Sequence, residues 1–429
     1  MASPSSGPRP YHLVVFGASG FTGRFVVEEA ARCAAEAGDG GLRWAVAGRS
    51  RARLEAVLEQ AAERLAMPEL RTDVEVIVAD VSMEESLALM CQQAVVVLNC
   101  VGPYRFFGEP VVKACVENGA HCIDICGEPQ FLERMHCEYH SQAMERGVYV
   151  IGSCGFDSIP ADLGVLYTQR ELKGTLTAVE SFLTISAGPE GGGGHDATWQ
   201  SAVYGFADGG ALRKLRRKMG VKPLPVVGPK LKTRGSVFFS KEIDQYCIPF
   251  MGSDPSVVRR TQRCLLDEEQ KSPVQYSAYV GVGGWFSVAK LMCGGLLFWF
   301  LVKFSLGRKL LTTFPSFFSF GMFTKEGPSL KQMDDTSFCM TFFGEGYSEG
   351  KDLSQGRPDT KICTQVIGPE PGYVATPAAM VQAAITVLTE LHSLPHRGGV
   401  YTPAAAFTKT RLIERLNTHG IKFSVRSYP

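Results

Sequence analysis

An apolar run, Leu13 to Phe16, leads directly into glycines in the stretch VVFGASGFTGRFVV, and beyond it Phe25, Val26, Ala30, Cys33 and Ala34 recur at helical spacing. The pattern predicts a strand, a tight turn and a helix. It then repeats. RWAVAG reads as a second strand, followed by a helix whose Leu54, Val57, Leu58, Ala61, Ala62 and Leu65 share one face. VEVIVAD gives a third strand running to Asp80, AVVVLNCVG a fourth ending near Asn99, and HCIDIC a fifth, with helices expected to begin near Ser82, Gly108 and Pro129. Strands that are apolar throughout, rather than alternating, are covered on both faces, and helices between them make right-handed crossovers. The expected product is a Rossmann-type doubly wound parallel sheet over residues 11–155, after a flexible arm over 1–10.

The three glycines of the first turn, Gly17, Gly20 and Gly23, are spaced G-x-x-G-x-x-G. At the first strand-to-helix turn of such a sheet, missing side chains allow a tight turn and a close approach of a pyrophosphate to the helix N-terminus. Gly17, Ser19, Gly20, Phe21, Thr22 and Gly23 are therefore candidate dinucleotide contacts; the alternative is an ordinary glycine-rich turn. The second strand ends in AGRSRAR, with no acid to bind a ribose 2′-hydroxyl. Arg49 and Ser50 offer donors suited to a 2′-phosphate, which favours NADP(H) over NAD(H); Arg51 and Arg53 also fit a solvated helix face. Asp80 ends the third strand, where the adenine is expected, and Asn99, Gly102 and Pro103 end the fourth, beneath the ribose and nicotinamide.

Three residues are candidates for proton transfer or substrate contact. Tyr104 follows the loop NCVGPY, where it would also pack under the cofactor. Asp157 in GFDSIP is read either as a substrate or ribose contact or as a helix cap. His195 stands after a four-glycine run at the start of an expected helix; its alternative is a surface histidine. No metal site is expected: Cys122, Asp124 and Cys126 share a strand face, but ligands in line on one strand do not converge tetrahedrally.

Beyond residue 156, TLTAVESFLTIS, TSFCMTFFGEG and TKICTQVIG alternate as strands of a mixed sheet with one covered face. Between them, residues 270–325 contain no Asp or Glu, and within 277–302 Lys290 is the sole charge. Three readings stand for this segment, extended over 277–324: a buried helix, an interrupted membrane span, or a segment embedded in one leaflet. Lys303, Arg308, Lys309 and the phenylalanines of LLTTFPSFFSFGMF favour a lipid interface, where aromatic rings and cations meet head groups. Upstream, nine Lys or Arg and no acid between Arg213 and Arg234 form either a second cationic surface or a solvated loop.

The formal net charge of the 429 residues is +1, and the single basic stretch lacks interleaved aromatics, so nucleic acid is not an expected partner. Thirteen cysteines without a framework spacing suit free thiols in a reducing compartment. The start shows no secretory layout, so an intracellular location is expected.

FGASGFTG, NCVGPY, YVIGSCGFDSIPADLG, TPAAM and GGVYTP together resemble the saccharopine dehydrogenase family over nearly the whole chain, most closely its animal branch. The resemblance implies a second α/β domain inserted over 156–372, C-terminal helices over 373–429 returning to the first domain, and hydride transfer with a nicotinamide cofactor. A bacterial branch is described as trans-acting enoyl reductases in complex-lipid synthesis, so the resemblance does not fix saccharopine as substrate. The expected function is an NADP(H)-dependent oxidoreductase acting on a hydrophobic or lipid-linked substrate at a membrane or lipid-droplet surface, on its cytosolic face, with the mitochondrion and a homodimer as further options. The alternatives are a catalytically silent cofactor-binding scaffold or sensor and a saccharopine-type amino-acid dehydrogenase.

Overall fold

A computed structural model describes residues 8–38, 41–351, 356–395 and 397–428. The first strands are β1 (Tyr11–Phe16), β2 (Trp44–Gly48), β3 (Glu75–Val78), β4 (Ala94–Asn99), β5 (His121–Asp124) and β6 (Tyr149–Ile151). Then follow β7 (Gly174–Ser186), β8 (Gly194–His195), β9 (Phe238–Ser240), β10 (Gln245–Pro249), β11 (Gln275–Gly283) and β12 (Phe323–Thr324). The last are β13 (Ser337–Ser348), β14 (Thr360–Pro369), β15 (Gly399–Tyr401) and β16 (Lys422–Arg426).

The chain forms two compact units. The first comprises 1–126, 131–156 and 372–419. Its sheet is parallel throughout, in the order β15-β6-β5-β4-β1-β2-β3. The six N-terminal strands have the doubly wound order, with the chain reversing between β1 and β4. β2 and β5 are buried along their whole length, as strands covered on both faces must be. Two strands were not anticipated as part of this sheet. β6 and β15 have three residues each, too few to show a period. The helix expected near Gly108 starts at Tyr104 and continues through Pro110 to Asn118.

The helix Thr376–Thr389 is buried on nearly every side, and Thr376 Oγ1 accepts the Phe156 N–H at 2.9 Å. The first seven residues of the expected arm lie outside the described residues. Arg9, near its end, is tied down: its guanidinium donates to the carbonyls of Cys91, Ala94 and Asn118.

The second unit comprises 127–130, 157–371 and 420–429. Its sheet runs β16-β14-β13-β7-β11-β10-β9; β7 and β11 are parallel and the other pairs antiparallel. One face is covered by the helix Ile159–Glu171, where Gly164 lets the ring of Phe342 approach. Gly420–Pro429, taken in the sequence as part of the C-terminal return, supplies β16 here instead. Within the basic stretch, Arg234 chelates Glu180 at 2.7 and 3.0 Å and also pairs with Glu242 at 3.0 Å. That end of the stretch is a structural ion pair, not a free cationic surface. The cysteines are free thiols, most of them buried.

The acid-free segment is largely helical and the buried-helix reading fails. Only Val288 and Val302 are buried in the helix Trp285–Val302, while Trp285 is 64% and Phe286 90% exposed. The helix is anchored at both ends within its own unit. Trp285 meets Tyr246 of β10 with ring centroids 6.2 Å apart, and Val302 packs with Val203 and Leu311.

Candidate functional site

The turn after β1 is built so that backbone, not side chains, lines its surface. Gly17 holds φ +84°, and a Cβ there would stand 2.8 Å from Val101 Cγ2. A Cβ on Gly23 would lie 2.2 Å from the Gly17 carbonyl oxygen, so the helix Phe21–Ala37 rests directly on the turn. Gly20 is the N-cap of that helix; no side chain caps it and its first turn carries no acid. Ser19 and Gly20 are exposed, leaving the positive end of the helix dipole open to an anion.

Arg49 is exposed at the end of β2, makes no ion pair among the described residues, and helps hold Asp80 below the usual carboxylate range. Ser50 starts the next helix, but its hydroxyl caps nothing and remains available. Arg51 donates to the Val76 carbonyl at 3.0 Å, so it belongs to the scaffold. The carboxylate of Asp80 accepts from the Ser82 amide at 2.9 Å and the Ser82 hydroxyl at 2.8 Å, which makes it foremost a turn-former.

Asn99 ends β4 fully buried. Its Oδ1 accepts the Val101 N–H at 3.1 Å, while its Nδ2 has no partner. An unsatisfied buried amide costs about 1–3 kcal/mol, so this donor calls for an acceptor from a ligand. Gly102, exposed, and Pro103 follow through a cis peptide bond.

Tyr104 is engaged within the fold, in keeping with its packing alternative. Its hydroxyl donates to the Asn99 carbonyl at 2.7 Å, and burial followed by the nearby Asp124 raises its pKa well above the ordinary value. It positions the strand end, with its hydroxyl proton held by the Asn99 carbonyl. Asp124 is likewise engaged with backbone: Oδ1 accepts the amides of Cys126 at 2.9 Å and Ser153 at 3.1 Å.

Sequence reasoning missed Arg24 and Tyr373. Arg24 lies 4.1 Å over the Phe21 ring with its Nε unpartnered, and Tyr373 meets Phe21 edge-on at 4.8 Å. Arg24 had a local signal, a cation directly after Gly23. Tyr373 had none.

In the second unit, Ser158 and not Asp157 is the N-cap of the helix Ile159–Glu171, which removes the cap reading of Asp157. Ser158 is held at φ 151°, a conformation costly for a side-chain-bearing residue. The Asp157 carboxylate lies between two glycines: a Cβ on Gly127 would be 2.9 Å from Oδ2 and one on Gly252 3.4 Å from Oδ1. Asp157 retains a little surface but is ringed by protein, and burial pushes its carboxyl up to about 6. Beside it Asp254 is fully buried, accepts the Ser158 hydroxyl at 3.2 Å, and is raised first by burial and then by Asp157. The pair therefore holds a proton near neutrality.

A raised carboxyl favours the folded state at low pH. The contribution is fully present below about 3.8, the unfolded value, and is lost as pH rises through about 6. Asp254→Asn keeps the acceptor for Ser158 and removes the second charge. Thermal denaturation should show it gaining stability over the wild type between about pH 5 and about pH 8, the difference growing with pH. A difference that is flat or shrinks with pH would contradict the shared proton.

His195 is the N-cap of the helix Asp196–Ala207: its Nδ1 accepts the Ala197 N–H at 3.2 Å and lies 3.3 Å from Asp196 Oδ1. Neither contact marks it as a general acid.

The profile of the saccharopine dehydrogenase NADP binding domain family matches residues 13–151, which contain the turn, Arg49, Asn99 and Tyr104. A mouse protein described as saccharopine dehydrogenase-like oxidoreductase is 63% identical over 98% of both chains. A Caenorhabditis elegans protein described as lipid droplet localized is 39% identical over 97% of this chain and 98% of its own. The solved structure of apo saccharopine dehydrogenase (L-Glu forming) from Saccharomyces cerevisiae superposes with TM-score 0.52 over 97% of this chain and 100% of that one, at 13% identity, and is similar in fold alone.

Proposed function

This chain belongs to the saccharopine dehydrogenase family, and from that premise we propose that it is an NADP(H)-dependent oxidoreductase acting on a hydrophobic, lipid-type substrate at a lipid surface. The observation that carries the substrate class is the exposed helix Trp285–Val302, apolar apart from Lys290 and flanked by Lys303, Arg308 and Lys309 with no acid nearby. A charged amino acid such as saccharopine gives no reason to keep such a surface. The worm relative's lipid-droplet description supports the same reading.

The residues present fit the dinucleotide. The glycine turn and helix N-terminus would hold the pyrophosphate, Arg49 and Ser50 the 2′-phosphate, and Asn99 Nδ2 an acceptor on the ribose or carboxamide side. When bound, NADP(H) supplies or takes up the hydride at its nicotinamide ring. The chain's own part is to bind, orient and handle the accompanying proton. In the second unit, the Asp157 carboxyl, pushed up to about 6 by burial, is partly protonated near neutrality. Tyr104 keeps the strand end and its loop in place through the Asn99 carbonyl.

The test joins cofactor selectivity to turnover. An arginine–phosphate contact contributes about 1.5–3 kcal/mol, so Arg49→Ala should weaken NADPH binding by roughly 10- to 100-fold and leave NADH nearly unchanged. NADPH oxidation by the wild type should then appear with some member of a panel of enoyl, carbonyl and imine lipids. Binding without any turnover would favour a cofactor-binding scaffold, and turnover confined to saccharopine would favour the amino-acid dehydrogenase.

A further inference from the structure

The first unit brings Glu29, Cys33 and His419 together from opposite ends of the chain. Glu29 and Cys33 are four apart on the helix Phe21–Ala37 and so share a face. His419 follows the helix Leu412–Thr418. Glu29 Oε1 is 3.6 Å from His419 Nδ1 and 3.9 Å from Cys33 Sγ, and the three ligand atoms lie within 4.8 Å of one another. Around a tetrahedral zinc ion with N, O and S ligands, the edges are about 3.3–3.6 Å, so the two edges to Glu29 need contract by at most a few tenths of an ångström and the Cys33–His419 edge, within 4.8 Å, by at most about 1.3 Å.

The surroundings fit that use. Arg32 Nη1 holds Glu29 Oε2 at 3.1 Å, orienting the carboxylate so that Oε1 points to the cluster. The buried amide of Gln382 donates to Cys33 Sγ at 3.2 Å, the contact a thiolate ligand accepts from its second shell. A cavity of about 480 Å³, lined in part by His12, Cys33, Glu36, Gln382, Arg415 and His419, adjoins the cluster and provides an entry path.

We propose that Glu29, Cys33 and His419 form a site for one zinc-class divalent ion, with a fourth coordination position open to this cavity. Uptake displaces the Cys33 thiol proton, and the His419 ring proton where the imidazole is charged, so the ion gains bonds to a thiolate, a neutral imidazole Nδ1 and the Glu29 carboxylate while the displaced protons pass to solvent. The open position takes water or a small donor from the cavity, as sites with three protein ligands do. This proposal is independent of the dinucleotide site.

The test uses the full chain and Co²⁺ as probe. Wild type should bind one Co²⁺ per chain and show a thiolate-to-cobalt charge-transfer band. Cys33→Ser should lose the band, and Cys137→Ser, at an exposed thiol, should keep it. His419→Gln should weaken Co²⁺ binding by roughly 10- to 100-fold or more. Zn²⁺ should displace the cobalt and raise the thermal midpoint of the wild type, not that of Cys33→Ser. Retained NADPH binding shows that a variant is folded; if Cys33→Ser fails that check, His419→Gln decides. No band in the wild type, a band surviving Cys33→Ser, or His419→Gln binding like the wild type would overturn the site.

Discussion

Gly23→Val is expected to abolish measurable NADPH binding, with an affinity loss of at least about 100-fold, or about 2.7 kcal/mol. The Cβ position is 2.2 Å from the Gly17 carbonyl oxygen, and that neighbour is backbone, so no rotamer change relieves the contact. The helix Phe21–Ala37 must move away from the turn, and overpacking of this kind costs about 1–3 kcal/mol before any ligand is considered. The same movement takes the helix N-terminus and its dipole away from the phosphate position. Titration with NADPH, with circular dichroism to confirm the fold, measures the effect. Gly210→Ala is the matched control, because a Cβ there meets nothing within 4 Å. If Gly23→Val bound within tenfold of the wild type, the turn would not be the phosphate cradle.

The second large effect is expected at the apolar helix. Phe286 and Trp299 are 90% and 58% exposed, and burying a large apolar side chain contributes about 1.5–3 kcal/mol. Phe286→Glu with Trp299→Glu removes both contributions and adds the cost of carrying acids to the lipid. Flotation with phosphatidylcholine vesicles should therefore show partitioning reduced by at least about 100-fold while NADPH binding is unchanged. Lys290, Lys303, Arg308 and Lys309 add about 1 kcal/mol each toward anionic lipid, a contribution that salt screens. Phosphatidylserine should thus strengthen binding in low salt, and the paired Glu substitutions should weaken it at any salt. Wild-type partitioning in the double variant would remove the helix from the lipid surface.

Much of the first unit was legible because its signals are local. Five strands showed as continuous apolar runs, and the glycine turn is a stretch of consecutive residues whose spacing carries its own steric reason. β6 and β15, with three residues each, have no readable period, and β15 joins the sheet only by pairing with β6. For the candidate site, residue type was a good guide to where and a poor one to how. Tyr104 has the chemistry of a proton donor, but its hydroxyl points to the Asn99 carbonyl. Asp157 offers a contact or a cap by its place in GFDSIP, and its partner Asp254, far away in the chain, meets it only through the fold.

The sequence by itself determined the doubly wound sheet, the place and spacing of the nucleotide turn, the absence of an acid after β2, and the acid-free apolar segment. Each depends on neighbours within one or two elements, where periodicity and turn sterics act. Tertiary structure alone decided that the helix Trp285–Val302 is exposed, that Asn99 Nδ2 is left without a partner, and that Glu29 and Cys33 face His419. A local pattern specifies which face of an element a residue occupies; what stands opposite that face is set by contacts between residues far apart in the chain.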